Sequence, residues 1–275
     1  MDFFQVKEQL LTFLSEDIGH SDLTSDIIFP NNHVGTAKVI AKESGVFSGA
    51  KLITYVYQLL SDDIQVTLHK NDCDLIKHGD ILATISGPVR IILTGERIML
   101  NLIQRMSGIA STTYKAIKTL DNSAIRICDT RKTTPGFRLF EKYAVRCGGG
   151  FNHRHGLYDG VMIKDNHIAF AGSITKAVNE IKRNLGHMVP IEVETESREQ
   201  VKEAVKANVN IIMFDNQTPQ AINQLSQLVP AHITTEASGG IKLNNLHQYK
   251  ECNVDYISLG FLTHSVHSLD ISLTI

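Results

Sequence analysis

Between Arg131 and Tyr158 six Arg and Lys residues stand against a single Glu, in a chain of formal net charge −2. His153, His155 and the run Gly148-Gly149-Gly150 share the same 28 residues. Cationic groups are thus concentrated where the backbone bends freely, which suits a small polyanion; a solvated helix face would mix its signs. Farther along, short apolar runs end in Lys164-Asp165-Asn166-His167, in Glu194, in Asp215-Asn216, in Ser238-Gly239-Gly240 and in Gly260. Arg131, Lys132, Arg154 and Lys164 can neutralise carboxylates or phosphates, Arg through two parallel hydrogen bonds. Ser238-Gly239-Gly240 offers unobstructed backbone N–H groups, with a helix expected soon after, as a seat for a phosphate. Glu194 and Asp215 can accept from sugar hydroxyls or hold Mg²⁺ through water. Together these groups describe a site for an anionic acceptor beside a phosphorylated sugar.

Each group also has a structural reading. Asp215-Asn216 could cap the next helix. Ser238-Gly239-Gly240 could be only a turn. Lys164 could form a surface ion pair, and His153 could be a structural histidine. Arg138 and Lys142 lie at helical spacing with Glu141, which predicts a solvated helix face for them.

The chain of 275 residues sets a prior of one large domain or two moderate ones. Near-neutral charge argues against a general nucleic-acid binder, which carries a basic domain. Cys73, Cys128, Cys147 and Cys252 are far apart, with neither metal-site spacing nor a small-domain disulfide framework, as for thiols in a reducing cytosol. Met1 to Ser15 lacks the basic start and apolar block of a signal peptide. No apolar run approaches the roughly 18 residues that span a bilayer. The expectation is a soluble, cytoplasmic protein.

Residues 3–15 have a helical pattern, with Phe4, Leu10, Leu11 and Leu14 on one side. From Thr36 to about Val89, short apolar or alternating runs (39–41, 45–48, 64–68 and 81–85) are separated by Gly, Asp or Lys, as between antiparallel strands, with a helix over Leu52 to Leu60 among them. A long helix follows. Thr94 is a plausible cap, Ile98, Leu102, Ile103 and Met106 supply its period, and Gly108 is a candidate interruption. Strand candidates then alternate with helices: 124–128, 160–163, 190–193, 210–214, 232–236 and 255–259, with helices over 173–184, 197–207, 219–228 and 243–252. Such βα units imply parallel strands. Six of them in about 150 residues are too few for an eight-stranded barrel, which takes roughly 250. The expected fold is α/β: an N-terminal α+β domain (1–108), an incomplete, open parallel α/β barrel (109–265), and a C-terminal tail (266–275) that could return to the N-terminal domain. A doubly wound open sheet competes, but GxGxxG is missing after the first strand. If the barrel is right, the polar residues at the strand ends gather on one rim.

The stretch DTRKTTPGFR (129–138) closely resembles the quinolinate phosphoribosyltransferases. So do EKYAVRCGGGFNHRHGLYD (141–159), IKDNH (163–167), GERIMLNLIQRMSGIAS (95–111), IEVET (191–195), MFDN (213–216), EASGGI (236–241), YISLG (256–260) and LSEDIGHSDLTSD (14–26). The resemblance spans nearly the whole chain in order. It implies transfer of phosphoribose from 5-phosphoribosyl 1-pyrophosphate to quinolinate with decarboxylation, giving nicotinate mononucleotide, pyrophosphate and CO₂ for NAD biosynthesis, with Mg²⁺ required. It also implies a dimer or larger assembly in which an Arg of one subunit, here at the position of Arg97, completes the neighbour's site. By the same resemblance Arg131, Lys132, His153, Arg154 and Lys164 surround the substrate, with Arg131, Arg154 and Arg97 for the carboxylates. Lys132 and Lys164 fall between acceptor and pyrophosphate. Glu194 and Asp215 hold ribose hydroxyls and metal, and with the two lysines form the catalytic set. Ser238, Gly239, Gly240 and Gly260 cradle the 5-phosphate. Three rivals stand beside this reading: a molybdenum-associated paralogue with another acceptor, a Schiff-base lyase using Lys132 or Lys164, and a non-catalytic anion binder.

Overall fold

Asp2 starts the first helix, α1 (Phe3–Ile18): its carboxylate accepts from the Phe4 N–H at 2.9 Å while Gln5 reaches back to the Asp2 N–H. The buried stripe is Val6, Leu10 and Leu14. Phe4 and Leu11, placed on the apolar side by the sequence pattern, are exposed. The computed structural model describes residues 1–275 and divides into two units, Met1–Tyr114 with Thr134–Gly149 and Ser265–Ile275, and Lys115–Thr133 with Gly150–His264.

In the first unit α1 and α2 (Leu23–Ile28) precede an antiparallel sheet of β1 (Val34–Ala41), β3 (Gln65–Leu68), β5 (Ile81–Pro88) and β12 (Ile271–Thr274), in the order β12-β1-β5-β3. A small ribbon, β2 (Gly45–Val46) with β4 (Leu75–Ile76), and α3 (Ala50–Leu60) complete the strand region. The long helix α4 runs unbroken over Val89–Leu120, so Thr94 is no cap and Gly108 no interruption. Thr94 lies within the helix and donates to Asp22 at 3.1 Å. Gly108 serves close approach instead, since a Cβ there would lie 2.1 Å from the His267 carbonyl oxygen. Gly108→Ala should therefore cost about 1–3 kcal/mol, because backbone must move to admit the methyl group. Thermal unfolding measures it, and an unchanged midpoint would mean that the 267 segment yields freely.

Residues 134–149, within the barrel segment of the sequence reading, fall in the first unit as α5 (Arg138–Cys147) and its approach. Its charges are not a solvated face: Glu141 and Lys142 are buried and Arg138 is half-buried. Glu141 accepts from Arg105 Nε at 3.0 Å and Nη2 at 2.6 Å, and from the Thr134 N–H at 3.1 Å, so its charge is paired inside the unit.

The second unit is a six-stranded parallel sheet. Its strands are β6 (Arg126–Cys128), β7 (Val161–Ile163), β8 (Ile191–Thr195), β9 (Ile211–Asp215), β10 (Thr234–Ser238) and β11 (Tyr256–Ser258), in the order β6-β11-β10-β9-β8-β7. The adjacent interior strands β8, β9 and β10 are buried along most of their length, as expected where helices cover a parallel sheet. Between them lie α6 (Asp165–Ala171), α7 (Ile174–Asn184), α8 (Arg198–Lys206) and α9 (Pro219–Ser226), with α10 (Phe261–His264) after β11. Ser173, Ser197 and Thr218 cap α7, α8 and α9 by accepting from the N–H three residues on. The helix expected over 243–252 is only a 3₁₀ turn, Leu246–Tyr249. β6 and β7 do not pair with each other, so the barrel is open there. Beside β6 the chain returns at Phe151, which bridges to Cys128.

Candidate active site

The carboxyl ends of all six strands face one cavity of about 570 Å³. Arg131 and Lys132 follow β6, Lys164 follows β7, Glu194 lies in β8, Asp215 ends β9, Ser238 ends β10 with Gly239 and Gly240 after it, and Ser258 ends β11. His153 and Arg154 enter from the segment after Phe151. A single cavity touching every strand end requires the sheet to curl, which is the geometry of a barrel rim. Every expected site residue of this unit except Gly260 lines it. Gly260 is closely packed: a Cβ there would lie 3.1 Å from both Lys132 Cδ and His264 Cδ2. Arg97 is exposed on α4, in the first unit, and is not on this cavity's wall.

Two arginines set the electrostatics. Burial, and then the neighbouring Arg131 charge, hold the Arg154 guanidinium below its ordinary value. Arg131 Nε is buried with no protein partner. Two adjacent guanidiniums with unspent donors favour a ligand carrying two negative charges. Arg154 Nη1 donates to the Gly160 carbonyl at 2.7 Å, which fixes the direction of its side chain.

Opposite them, Lys164 Nζ donates to Glu194. Burial raises the Glu194 carboxyl; Lys164 opposes the rise, while Asp215 and Glu192 add to it. Lys164 is held from the other end too, because its N–H donates to His167 Nδ1 at 3.0 Å. That gives His167 a local role at the start of α6. Glu194 and Asp215 are thus two half-buried carboxylates within each other's field, a donor set that suits a hydrated divalent cation.

The Ser238–Gly240 segment, expected to seat a phosphate, is a turn without the helix expected after it. Gly239 and Gly240 have φ of 82° and 66°. A Cβ at Gly239 would lie 2.2 Å from Asn216 Oδ1, so only glycine fits. Asn216 N donates to the Ser238 carbonyl at 2.9 Å, locking the two strand ends together. Thr218, not Asp215 or Asn216, caps the next helix.

Sequence reasoning missed two buried acids. Glu192, two residues before Glu194 on the same face of β8, and Glu236 in β10 are 3% and 4% exposed. His153 Nε2 lies 3.0 Å from Glu192 Oε2 and 3.8 Å from Glu236 Oε1. The period of two in IEVET was the available signal. Burial, then the Glu192 charge, push the Glu236 carboxyl up to about 7, with His153 opposing. An acid whose folded value lies above its unfolded one holds its proton more tightly when folded. Its contribution is therefore present at low pH and is lost as pH rises from the ordinary carboxyl range through about 7. Glu236→Gln should lose less stability than the parent between pH 5 and 8; parallel melting curves across that range would refute the burial of a charge there.

Both halves of the chain match one family. Residues 109–274 match the model of the quinolinate phosphoribosyl transferase C-terminal domain, and residues 22–107 the N-terminal domain. The chain belongs to the quinolinate phosphoribosyltransferase family. A relative from Bacillus subtilis (strain 168), a probable nicotinate-nucleotide pyrophosphorylase (carboxylating), is 53% identical over 100% of this chain and 95% of its own length. Among solved structures, NadC from Streptococcus pyogenes is 39% identical with a TM-score of 0.97, covering 100% of this chain and 97% of that one. The nicotinate-nucleotide pyrophosphorylase from Francisella tularensis is 36% identical with a TM-score of 0.94, covering 100% and 97%. The α/β architecture expected from the strand count is thus that of solved quinolinate phosphoribosyltransferase relatives.

Proposed function

We infer that the chain transfers phosphoribose from 5-phosphoribosyl 1-pyrophosphate to the ring nitrogen of quinolinate. The ring then loses its C2 carboxylate, and the products are nicotinate mononucleotide, pyrophosphate and CO₂. Family membership along both domains supports the reaction. The observation that carries the assignment of roles is the meeting of Arg131 and Arg154 with the Ser238–Gly240 turn in one cavity. A dianion leaves water only against two or more cations, and the unspent guanidinium donors supply them.

In this reading Arg131 and Arg154 hold the two carboxylates. The backbone N–H groups of Gly239 and Gly240 receive the 5-phosphate. Lys132 and Lys164 stand where negative charge develops on the departing pyrophosphate. Glu194 and Asp215 accept from the ribose hydroxyls and offset positive charge as the sugar becomes oxocarbenium-like. The same two carboxylates would hold Mg²⁺, which when bound neutralises pyrophosphate charge. Once alkylated, the ring nitrogen is an electron sink, and the bond to CO₂ breaks toward it. The carbanionic carbon then takes a proton from a nearby lysine or water.

The active assembly in this reading is a homodimer or larger, with Arg97 completing the partner's acceptor site. Leu23, Ile27 and Ile28 on α2 are exposed, an apolar surface suited to cover by a second copy. No helix is long and apolar enough to cross a membrane, and the cytoplasm, where the substrates are soluble anions, is the proposed location. The test is incubation of purified protein with quinolinate, phosphoribosyl pyrophosphate and Mg²⁺. The mononucleotide should appear, and should cease to appear with excess chelator. Borohydride in the presence of a carbonyl substrate should trap no adduct on Lys132 or Lys164; an adduct would favour the Schiff-base alternative.

A further inference from the structure

We propose that Glu192 is a positioning residue for the acceptor site: it fixes the tautomer of His153, and through that ring it sets Arg154. The inference rests on the acceptor-site reading above and extends it to a residue that does not line the substrate cavity. A continuous hydrogen-bonded chain carries it. Glu192 Oε2 lies 3.0 Å from His153 Nε2, and His153 Nδ1 accepts the Arg154 backbone N–H at 2.8 Å. Arg154 then donates to the Gly160 carbonyl at 2.7 Å. On the opposite side Asp129, fully buried, accepts the His153 N–H at 2.9 Å and the Asn152 amide at 2.6 Å. The arm 152–154 is therefore gripped between two buried acids, one acting on the backbone and one on the imidazole.

The tautomer follows from these partners. Nδ1 spends its lone pair on the Arg154 N–H, so the ring proton must sit on Nε2, where it points at Glu192. The imidazole thus forms part of the wall between the substrate cavity and a second cavity of about 320 Å³, lined by Glu192 and Glu236. His153, Glu192 and Glu236 also lie close enough to suggest a metal site. A cation on Nε2 would need the lone pair of that nitrogen and would drive the proton to Nδ1, against the Arg154 N–H. The hydrogen-bonded chain therefore favours positioning over metal binding. Glu192 Oε2 acts on a ring that lines the cavity, so its loss should be felt in acceptor binding before chemistry.

Two variants and a spectrum test this. Glu192→Leu leaves the Nε2–H buried without an acceptor; the KM for quinolinate should rise about tenfold, while the KM for phosphoribosyl pyrophosphate stays within about twofold. Glu192→Gln keeps an oxygen for the same bond and should return most of the loss. Nitrogen-15 spectra of the histidine-labelled protein should show Nε2 of His153 protonated and Nδ1 unprotonated, in the parent and in Glu192→Gln. A folded Glu192→Leu protein with unchanged quinolinate KM, or with both KM values raised equally, would overturn the proposal. So would a proton on Nδ1, or a stoichiometric metal in the purified parent that Glu192→Leu and Glu236→Gln both lose. Absence of any turnover by the parent would instead contradict the reaction itself, and the spectra would still test the tautomer.

Discussion

Arg131→Ala is expected to raise the KM for quinolinate by about a hundredfold, with the fold intact. The guanidinium stands beside Arg154, which burial and then the Arg131 charge already hold below its ordinary value in the free protein. Bringing them together is unfavourable until a dianion binds; the ligand then gains two charge-assisted partners at once. Removing one leaves a carboxylate desolvated and unpaired, a loss of about 2–5 kcal/mol by analogy with buried charge pairs. Arg131→Lys should recover only part of it, because an ammonium cannot match both carboxylate oxygens. Initial rates at varied quinolinate, with melting temperature as control, decide it. An unchanged KM in a folded Arg131→Ala protein would remove Arg131 from the acceptor site.

The second large effect is a recovery. Arg97→Ala and Lys164→Ala should each be nearly inactive alone. Lys164 contacts Glu194 in the cavity, whereas Arg97 is exposed on the other unit. If Arg97 acts on the partner's site, a mixed dimer has one site with both native residues and one with neither. Random exchange at equal amounts then yields about a quarter of parental activity, since about half the dimers are mixed and each has one good site of two. No recovery after exchange confirmed by mass would mean that Arg97 does not act across an interface.

Much of this was legible because parallel strands put chemistry at their carboxyl ends. Polar residues after six apolar runs could be assigned to one rim without coordinates, and Arg131, Lys164, Glu194, Asp215 and Ser238 stand there. What failed was local. Gly108 looked like a helix breaker, but its lack of a side chain admits the His267 carbonyl, far away in sequence, and no window near 108 contains that fact. Glu141 and Lys142 looked solvated because charge spacing reports a helix face, not what packs on it; Arg105 makes burial of Glu141 tolerable. Glu192 and Glu236 passed as ordinary strand residues, since only their convergence on His153 gives them meaning.

The most direct measurement follows quinolinate labelled at the C2 carboxylate, incubated with phosphoribosyl pyrophosphate, Mg²⁺ and the purified chain. Labelled CO₂, pyrophosphate and mononucleotide should accumulate in equimolar amounts from the first turnover. Pyrophosphate released without CO₂, or binding of both anions with neither product, would contradict the account.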